Sequence, residues 1–145
     1  MSATLPGLAG ETVLSFTGSD SYVNLGTPDA LQIPSSGPFT VEGWMYLNAL
    51  DSRDMLYTKN SARSSSVISY TLGFYDTGDL GAYSASSGWV KCVPDTNIAT
   101  KRWYHAAFSY DGTNMSYYLD GQPFGSKPYT FANTESHTVK IGGYY

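Results

Sequence analysis

Apolar and polar residues alternate along most of this chain in short runs, which Gly, Pro, Ser, Asn and Asp separate. An alternation with a period of two residues is typical of a β-strand that buries one of its faces. Helical periodicity is nearly absent, and residues 28–32 allow one helical turn at most. The pattern therefore predicts an all-β fold, an antiparallel sandwich or barrel of about ten short strands.

The clearest predicted strand covers residues 39–47. Its apolar odd-numbered positions predict a core face, formed by Phe39, Val41, Met45 and Leu47. Its even-numbered positions predict the opposite face, formed by Thr40, Glu42, Trp44 and Tyr46. A second strong alternation, over residues 103–110, sets Tyr104, Ala106, Phe108 and Tyr110 against Trp103, His105, Ala107 and Ser109. Further strands are predicted at residues 13–17, 22–25, 55–58, 68–74, 80–84, 89–93, 115–119 and 137–142.

Two Asp-Gly pairs, Asp111-Gly112 and Asp120-Gly121, each follow a predicted strand. Such pairs suit the positive φ values of type I′ hairpin turns. Metal ligation by the two aspartates is the alternative. Turn formation is favoured over it, because Asp and Gly are the usual residues of tight turns.

The length of 145 residues predicts one domain, over residues 13–145, after an N-terminal arm at residues 1–12. Charged residues make up only 14% and the net charge is −4, so neither nucleic acid nor an anionic membrane is an expected partner. Cys92 is the only cysteine, which excludes an internal disulfide, and we expect it to be a small buried side chain. The first residues lack the features of a signal peptide, which predicts synthesis in a cytoplasm or a module of a larger secreted protein.

Five segments carry motifs in a fixed order. They are residues 14–23 (apolar-x-Phe-x-Gly-x-x-x-Tyr-Val), 39–44 (Phe-Thr-apolar-Glu-x-Trp), 103–112 (Trp-x-His-apolar-Ala-x-x-Tyr-Asp-Gly), 118–121 (Tyr-Leu-Asp-Gly) and 141–143 (Ile-Gly-Gly). Together they resemble the laminin-G-like jelly rolls of the concanavalin A-like lectin/glucanase superfamily. The resemblance implies an antiparallel two-sheet β-sandwich, a fold that hosts lectins, adhesion modules, hydrolases and structural proteins.

The chain departs from that family at its C-terminus. Relatives usually continue past the Ile-Gly-Gly strand with a further strand that pairs with the first one, whereas this sequence stops at Tyr145. We therefore expect the usual closing strand to be missing. An open sheet edge attracts neighbouring strands, so the hypothesis is that another segment or chain completes the sheet by β-augmentation.

Catalytic residues are not expected. The superfamily's glucanases carry Glu, Asp and Glu at alternate positions of one strand, which places an acid and a nucleophile beside the sugar bond. Here Thr40 and Trp44 are the same-face neighbours of Glu42, and the other two glutamates are Glu11 and Glu135. No pattern of a Ser-His-Asp hydrolase is found, and His105 and His137 are each expected to be partly buried and hydrogen-bonded. The sequence thus predicts that the protein is not an enzyme.

A ligand site is predicted on the strand 39–47. Aromatic rings stack on sugar rings while neighbouring polar groups hydrogen-bond the hydroxyls, so Trp44, Tyr46 and Glu42 are candidates. Tyr83 and Trp89 are predicted to contribute from neighbouring strands. The alternative for Trp44 is a purely structural role beneath a loop.

No cofactor is predicted apart from structural calcium, which this fold often holds on rim loops. The candidate ligands are Asp51 and Asp54 in one loop, and Asp76 and Asp79 in one tight turn. Capping of turns by these aspartates is the favoured alternative.

Two classes of function remain. The favoured one is a structural or adhesive module at a virion surface, such as a phage capsid decoration, cement or fibre protein. Its partners would be protein subunits, either coat protein or copies of itself in a homo-oligomer. The alternative is a lectin-like, carbohydrate-binding module of a secreted or surface protein, and a glycoside hydrolase is a distant third. The predicted location is a virion or an extracellular surface.

Overall fold

Ten β-strands and one 3₁₀ turn, Asp29–Leu31, form the regular structure in the part of the chain that the computed structural model describes. That part comprises residues 12–17, 21–33, 37–50, 53–60, 68–75, 78–84, 87–91, 98–130 and 137–143. The strands are β1 (Val23–Gly26), β2 (Phe39–Leu47), β3 (Arg53–Asn60), β4 (Ile68–Tyr75), β5 (Asp79–Ser84), β6 (Gly88–Lys91), β7 (Arg102–Tyr110), β8 (Asn114–Leu119), β9 (Gln122–Pro128) and β10 (Thr138–Ile141). Within these ranges, no helix has the length and apolar character needed to span a bilayer.

The strands form two antiparallel sheets that pack face to face. One sheet has six strands in the order β1-β10-β3-β4-β5-β6, and the other has four strands in the order β2-β7-β8-β9. The predicted antiparallel two-sheet β-sandwich is therefore confirmed. The ligand site predicted on residues 39–47 falls on the four-stranded sheet.

The core lies between the two sheets and follows the predicted alternation. On β2 the side chains of Phe39, Val41, Met45 and Leu47 all contact it. On β7 the fully buried Phe108 meets Tyr117 of β8 edge-on, with ring centroids 5.7 Å apart. The Tyr117 hydroxyl donates a hydrogen bond of 2.9 Å to the Val90 carbonyl of β6, which ties the two sheets together.

Two strand predictions differ from the structure. Residues 12–17 form no strand, because the described residues place no ladder partner beside them; the ring of Phe16 packs against Gly142 instead. Strand β9 was not predicted, since it contains Pro123 and Pro128. A proline cannot donate to a sheet ladder and is tolerated at an edge, which is where β9 lies. The predicted buried Cys92 lies outside the described residues.

The two Asp-Gly turns differ from each other. Asp120 and Gly121 both have positive φ, 50° and 76°, and directly join β8 to β9, which confirms the type I′ prediction. The link after β7 is one residue longer, and only Gly112 has a positive φ there, 105°. The type I′ prediction is wrong for this link, because Asp111 Oδ1 accepts hydrogen bonds of 2.7 Å from the amides of Thr113 and Asn114 and holds an Asx turn.

This Asx turn should make stability depend on pH. The backbone amides of Asn114 and Thr113 hold the pKa of Asp111 below its ordinary value of 3.8. A carboxylate with a lowered folded-state pKa stabilises the fold above its unfolded-state pKa, and this contribution is lost as the pH falls through the folded-state pKa. We expect Asp111→Ala to lower the melting temperature at pH 7, and the gap to wild type to close as the pH falls below 3.8. Asp111→Asn is the control, because it keeps an acceptor oxygen without a titrating group. A gap for the Ala variant that stays constant down to pH 2 would contradict the assignment.

Candidate functional site

The outer face of the four-stranded sheet carries the side chains that point away from the core. The register of β2 on β7 sets them side by side in four cross-strand pairs: Thr40 with Ser109, Glu42 with Ala107, Trp44 with His105, and Tyr46 with Trp103. Next to them on β8, Ser116 pairs with Ser109 and Tyr118 pairs with Ala107. The predicted residues Glu42, Trp44 and Tyr46 therefore lie together on one exposed surface, which we call the outer face.

One end of the outer face is aromatic, and its four rings, Trp44, Tyr46, Trp103 and His105, are here called the aromatic tier. The rings of Trp44 and His105 lie 5.2 Å apart at 60°, and those of Tyr46 and Trp103 lie 5.5 Å apart at 63°. Such tilted pairs are worth about 0.5–1.5 kcal/mol each and fix the ring orientations. Trp44 is 49% exposed, the largest apolar side chain that the described residues leave open to solvent.

A carboxylate and an imidazole lie beside the exposed indole. Glu42 Oε2 is 3.9 Å from His105 Nε2, which is too long for a hydrogen bond and lets the two groups form an ion pair when the histidine is protonated. The carboxylate is 64% exposed and the imidazole 26% exposed. Both side chains thus keep hydrogen-bonding capacity for a ligand: the glutamate accepts, and a neutral histidine donates with one nitrogen and accepts with the other.

The backbone of His105 is fixed by the neighbouring hairpin turn. Asp120 Oδ1 accepts a hydrogen bond of 2.9 Å from the His105 amide, and the Asp120 amide donates one of 2.8 Å to the His105 carbonyl. Asp120 is held in turn by an ion pair of 2.5 Å with Arg102. The type I′ turn therefore holds the backbone of β7 at His105, and the alternation along β7 directs the imidazole to the outer face.

The other end of the outer face is lined with hydroxyl groups, here called the hydroxyl tier. Thr40 Oγ1 donates to Ser109 Oγ, and Ser116 Oγ donates to Ser126 Oγ, each over 3.2 Å. Because Ser109 pairs with Ser116, the four hydroxyls form one row across all four strands. Hydroxyl groups both donate and accept, so this row can exchange hydrogen bonds with a polar ligand.

Tyr83 and Trp89 do not lie on this face, so their predicted contribution beside Trp44 is corrected. They pair with each other on β5 and β6 of the six-stranded sheet, with ring centroids 5.5 Å apart. Trp89 also stacks on Tyr75 at 4.1 Å, and both predicted residues pack against the buried Met55. Their rings are used for packing on the outer side of that sheet, where Thr71 is also fully buried. Strand order depends on long-range pairing, which alternation along the sequence does not reveal.

The sequence prediction missed His105 and Trp103 as partners of Trp44. The signal was available in part, because both residues belong to the outward set of the alternating run 103–110. What was missing was the neighbour relation between β2 and β7. The expected partial burial of His105 is met, and its backbone amide and carbonyl both form hydrogen bonds with Asp120.

The predicted calcium ligands are only partly within the described residues, since Asp51 and Asp76 lie outside them. Asp54 pairs with Phe74, whose side chain is in the core. Asp79 pairs with Tyr75, which belongs to the opposite, outward face of the six-stranded sheet. Asp79 also forms an ion pair of 2.6 Å with Lys91. No group of three or more His, Cys, Asp or Glu side chains suited to a metal is found among the described residues, so calcium at the two loops stays a prediction.

The carboxylates of the outer face bear on catalysis. Glycoside hydrolysis generally needs a pair of carboxyl groups flanking the bond. Among the outward-pointing strand residues described for the four-stranded sheet, Glu42 is the one carboxylate. Glu11 and Glu135 lie outside the described residues. The described strand residues therefore place no second carboxyl group next to Glu42 on the outer face.

Comparisons with known proteins agree with this architecture. The structure of domain 4 of AbnA, a GH43 extracellular arabinanase from Geobacillus stearothermophilus, solved in complex with arabinotriose, is similar with a TM-score of 0.62 and 20% identity. The match covers 84% of this chain and 57% of the other, so this chain spans little more than half of that structure. The Caenorhabditis elegans galectin LEC-6 is similar with a TM-score of 0.51 and 18% identity, over 88% of this chain and 87% of the galectin.

At these identities the two structures show a shared fold. Comparison with curated protein sequences gives no significant match. The family model Laminin_G_3, described as the Concanavalin A-like lectin/glucanases superfamily, matches residues 17–145, which is nearly the whole chain. The chain therefore belongs to the Concanavalin A-like lectin/glucanases superfamily.

Proposed function

We propose that this chain is a non-catalytic carbohydrate-binding module whose outer face contacts the sugar. The observation that carries the proposal is the half-exposed Trp44, which stands beside the carboxylate of Glu42 and the imidazole of His105. Leaving a tryptophan open to water forgoes about 1.5–3 kcal/mol of the stabilisation that burying a large apolar side chain gives. A ligand that covers the ring recovers that free energy.

The chemistry of the outer face suits a sugar. The C–H face of a sugar ring is apolar and stacks on an aromatic ring, while its hydroxyl groups need both donors and acceptors. The aromatic tier supplies the stacking surface. Glu42, His105 and the hydroxyl tier supply the hydrogen-bond donors and acceptors. Because tilted ring pairs hold Trp44 and Tyr46 in place, little side-chain entropy is lost on binding.

The structural neighbours support a glycan partner. The arabinanase domain was solved with arabinotriose, and the nematode protein is a galectin. The absence of a second carboxylate beside Glu42 among the described outward strand residues supports a role without catalysis.

Trp44 also favours a second candidate, the structural or adhesive module at a virion or extracellular surface. In that case the outer face would contact a protein subunit, either a second copy of the chain or a coat protein. An exposed aromatic patch is a common feature of subunit contacts as well as of sugar sites.

The two candidates are separated by a glycan array combined with light scattering. The carbohydrate proposal expects a monomeric mass, retention on defined neutral glycans, and no release of reducing sugar from them. If the chain is a structural module, we expect an oligomer both with and without a calcium chelator. Trp44→Ala should then convert this oligomer to a monomer. A monomer that binds no glycan on the array would overturn the carbohydrate proposal.

A further inference from the structure

We infer that the ligand of the outer face is an extended, uncharged oligosaccharide that lies along β2 and β7. The inference rests on the proposed carbohydrate function and names the class of sugar. It depends on three properties of the face: its length, its charge and the order of its tiers.

The length of the face exceeds a single sugar ring. The outward residues of β2 run from Thr40 to Tyr46, and a strand rises about 3.3 Å per residue, so the face is about 20 Å long. Both β2 and β7 contribute to it over this whole length. A monosaccharide would cover one tier, whereas a chain of several sugars covers both.

The charge of the face disfavours acidic sugars. Glu42 lies between the aromatic tier and the hydroxyl tier, and its carboxylate is 64% exposed. The cationic residues of these strands are at register positions of the core side and not of the outer face. Arg102 pairs with Leu47 and Lys127 pairs with Met115, and Leu47 and Met115 are both buried in the core. With a net charge of −4 over the whole chain, a uronic acid or sulfated sugar would meet repulsion at the middle of the face.

The order of the tiers sets how the chain of sugars lies. Sugar rings that stack must lie over the aromatic tier. The hydroxyl tier, at the Thr40 end, offers hydrogen bonds but no stacking surface. Tyr118 stands beside Ala107 between the two tiers, so the surface is continuous from one end to the other. An oligosaccharide that runs along the strands can use both kinds of contact at once.

The test is native affinity electrophoresis of the whole chain through gels that contain one soluble polysaccharide each. Neutral probes are linear arabinan, galactomannan and hydroxyethylcellulose. Acidic probes are carboxymethylcellulose, polygalacturonate and alginate. Carboxymethylcellulose and hydroxyethylcellulose share a backbone and differ in charge, which makes them a matched pair.

We expect retardation by at least one neutral polymer and by none of the acidic ones. The oligosaccharides of the retarding polymer should bind more tightly with each added sugar up to about four units, the number that a face about 20 Å long accommodates. Glu42→Gln should raise the affinity for acidic polymers, which is too weak in the wild type to cause retardation, by about threefold to tenfold at low salt, with a smaller gain at high salt. Asp29→Asn is the matched control, because it removes one exposed negative charge from the 3₁₀ turn and should change nothing.

The outcomes separate this inference from the proposed function. Retardation by acidic polymers, or a monosaccharide that binds as tightly as its tetrasaccharide, overturns the inference and leaves carbohydrate binding in place. A chain that is retarded by none of the polymers and also binds no glycan on the array overturns both the inference and the proposed carbohydrate binding.

Discussion

Trp44→Ala is expected to weaken carbohydrate binding about tenfold or more while the protein stays folded, because a tryptophan at the centre of a contact commonly contributes 2 kcal/mol or more and about 1.4 kcal/mol is a factor of ten. The substitution removes the one indole on the outer face that is half open to solvent and leaves His105 without its ring partner. Isothermal titration with the best oligosaccharide measures the loss. Because the ring is half exposed, the free energy of unfolding should fall by no more than about 2 kcal/mol, from the lost ring pair with His105 and the buried half of the indole.

Tyr22→Ala is the matched control for this experiment. Tyr22 is also a large exposed ring, 41% open, and it lies next to β1 on the six-stranded sheet, below the ammonium group of Lys140. Its loss should leave the affinity for the sugar unchanged. Equal losses in the two variants would show that binding does not depend on the outer face, and an unchanged affinity in Trp44→Ala would contradict the proposed site.

Phe108→Ala is expected to lower the free energy of unfolding by about 3–5 kcal/mol, the usual cost of deleting a fully buried phenyl ring. Phe108 is completely inaccessible to solvent and packs edge-on against Tyr117, in the middle of β7. Strand β7 pairs with both β2 and β8, so a cavity at Phe108 lies directly beneath the outer face. Urea denaturation followed by tryptophan fluorescence measures the change.

Leu14→Ala is the control for this second substitution. Leu14 is 65% exposed, so its truncation should change the free energy of unfolding by no more than about 0.5 kcal/mol. A small effect of Phe108→Ala, within the range of Leu14→Ala, would contradict the assignment of Phe108 to a tightly packed core between the sheets.

The parts of the fold that depend on local pattern were predictable from the sequence. The alternation over residues 39–47 gave the core face and the outward face of β2, and the positions of Gly121 and Asp120 gave a type I′ turn. Strand β9 was not predictable from local pattern, since Pro123 breaks the strand signal and only its edge position makes it acceptable. Residues 12–17 are the opposite case: their alternation predicts a strand, but they form none. An alternating run forms a strand only where a neighbouring strand is available to pair with it.

The site was predictable along one strand and not across strands. Glu42, Trp44 and Tyr46 share a face because side chains alternate along β2. Their neighbours Trp103 and His105 come from the register of β2 on β7, which long-range pairing sets. The same lack of strand order placed Trp89 beside Trp44, although the two lie on different sheets.

The most direct test of the central claim is an NMR titration of the ¹⁵N-labelled chain with the best-bound oligosaccharide. The chain has three tryptophans, hence three indole N–H signals, which Trp→Phe substitutions assign one by one. Trp44 and Trp103 are on the outer face, and Trp89 packs on the other sheet against Tyr75. The account predicts that the signals of Trp44 and Trp103 shift with the added sugar while that of Trp89 stays fixed. A shift of Trp89 alone, with Trp44 unmoved, would contradict it.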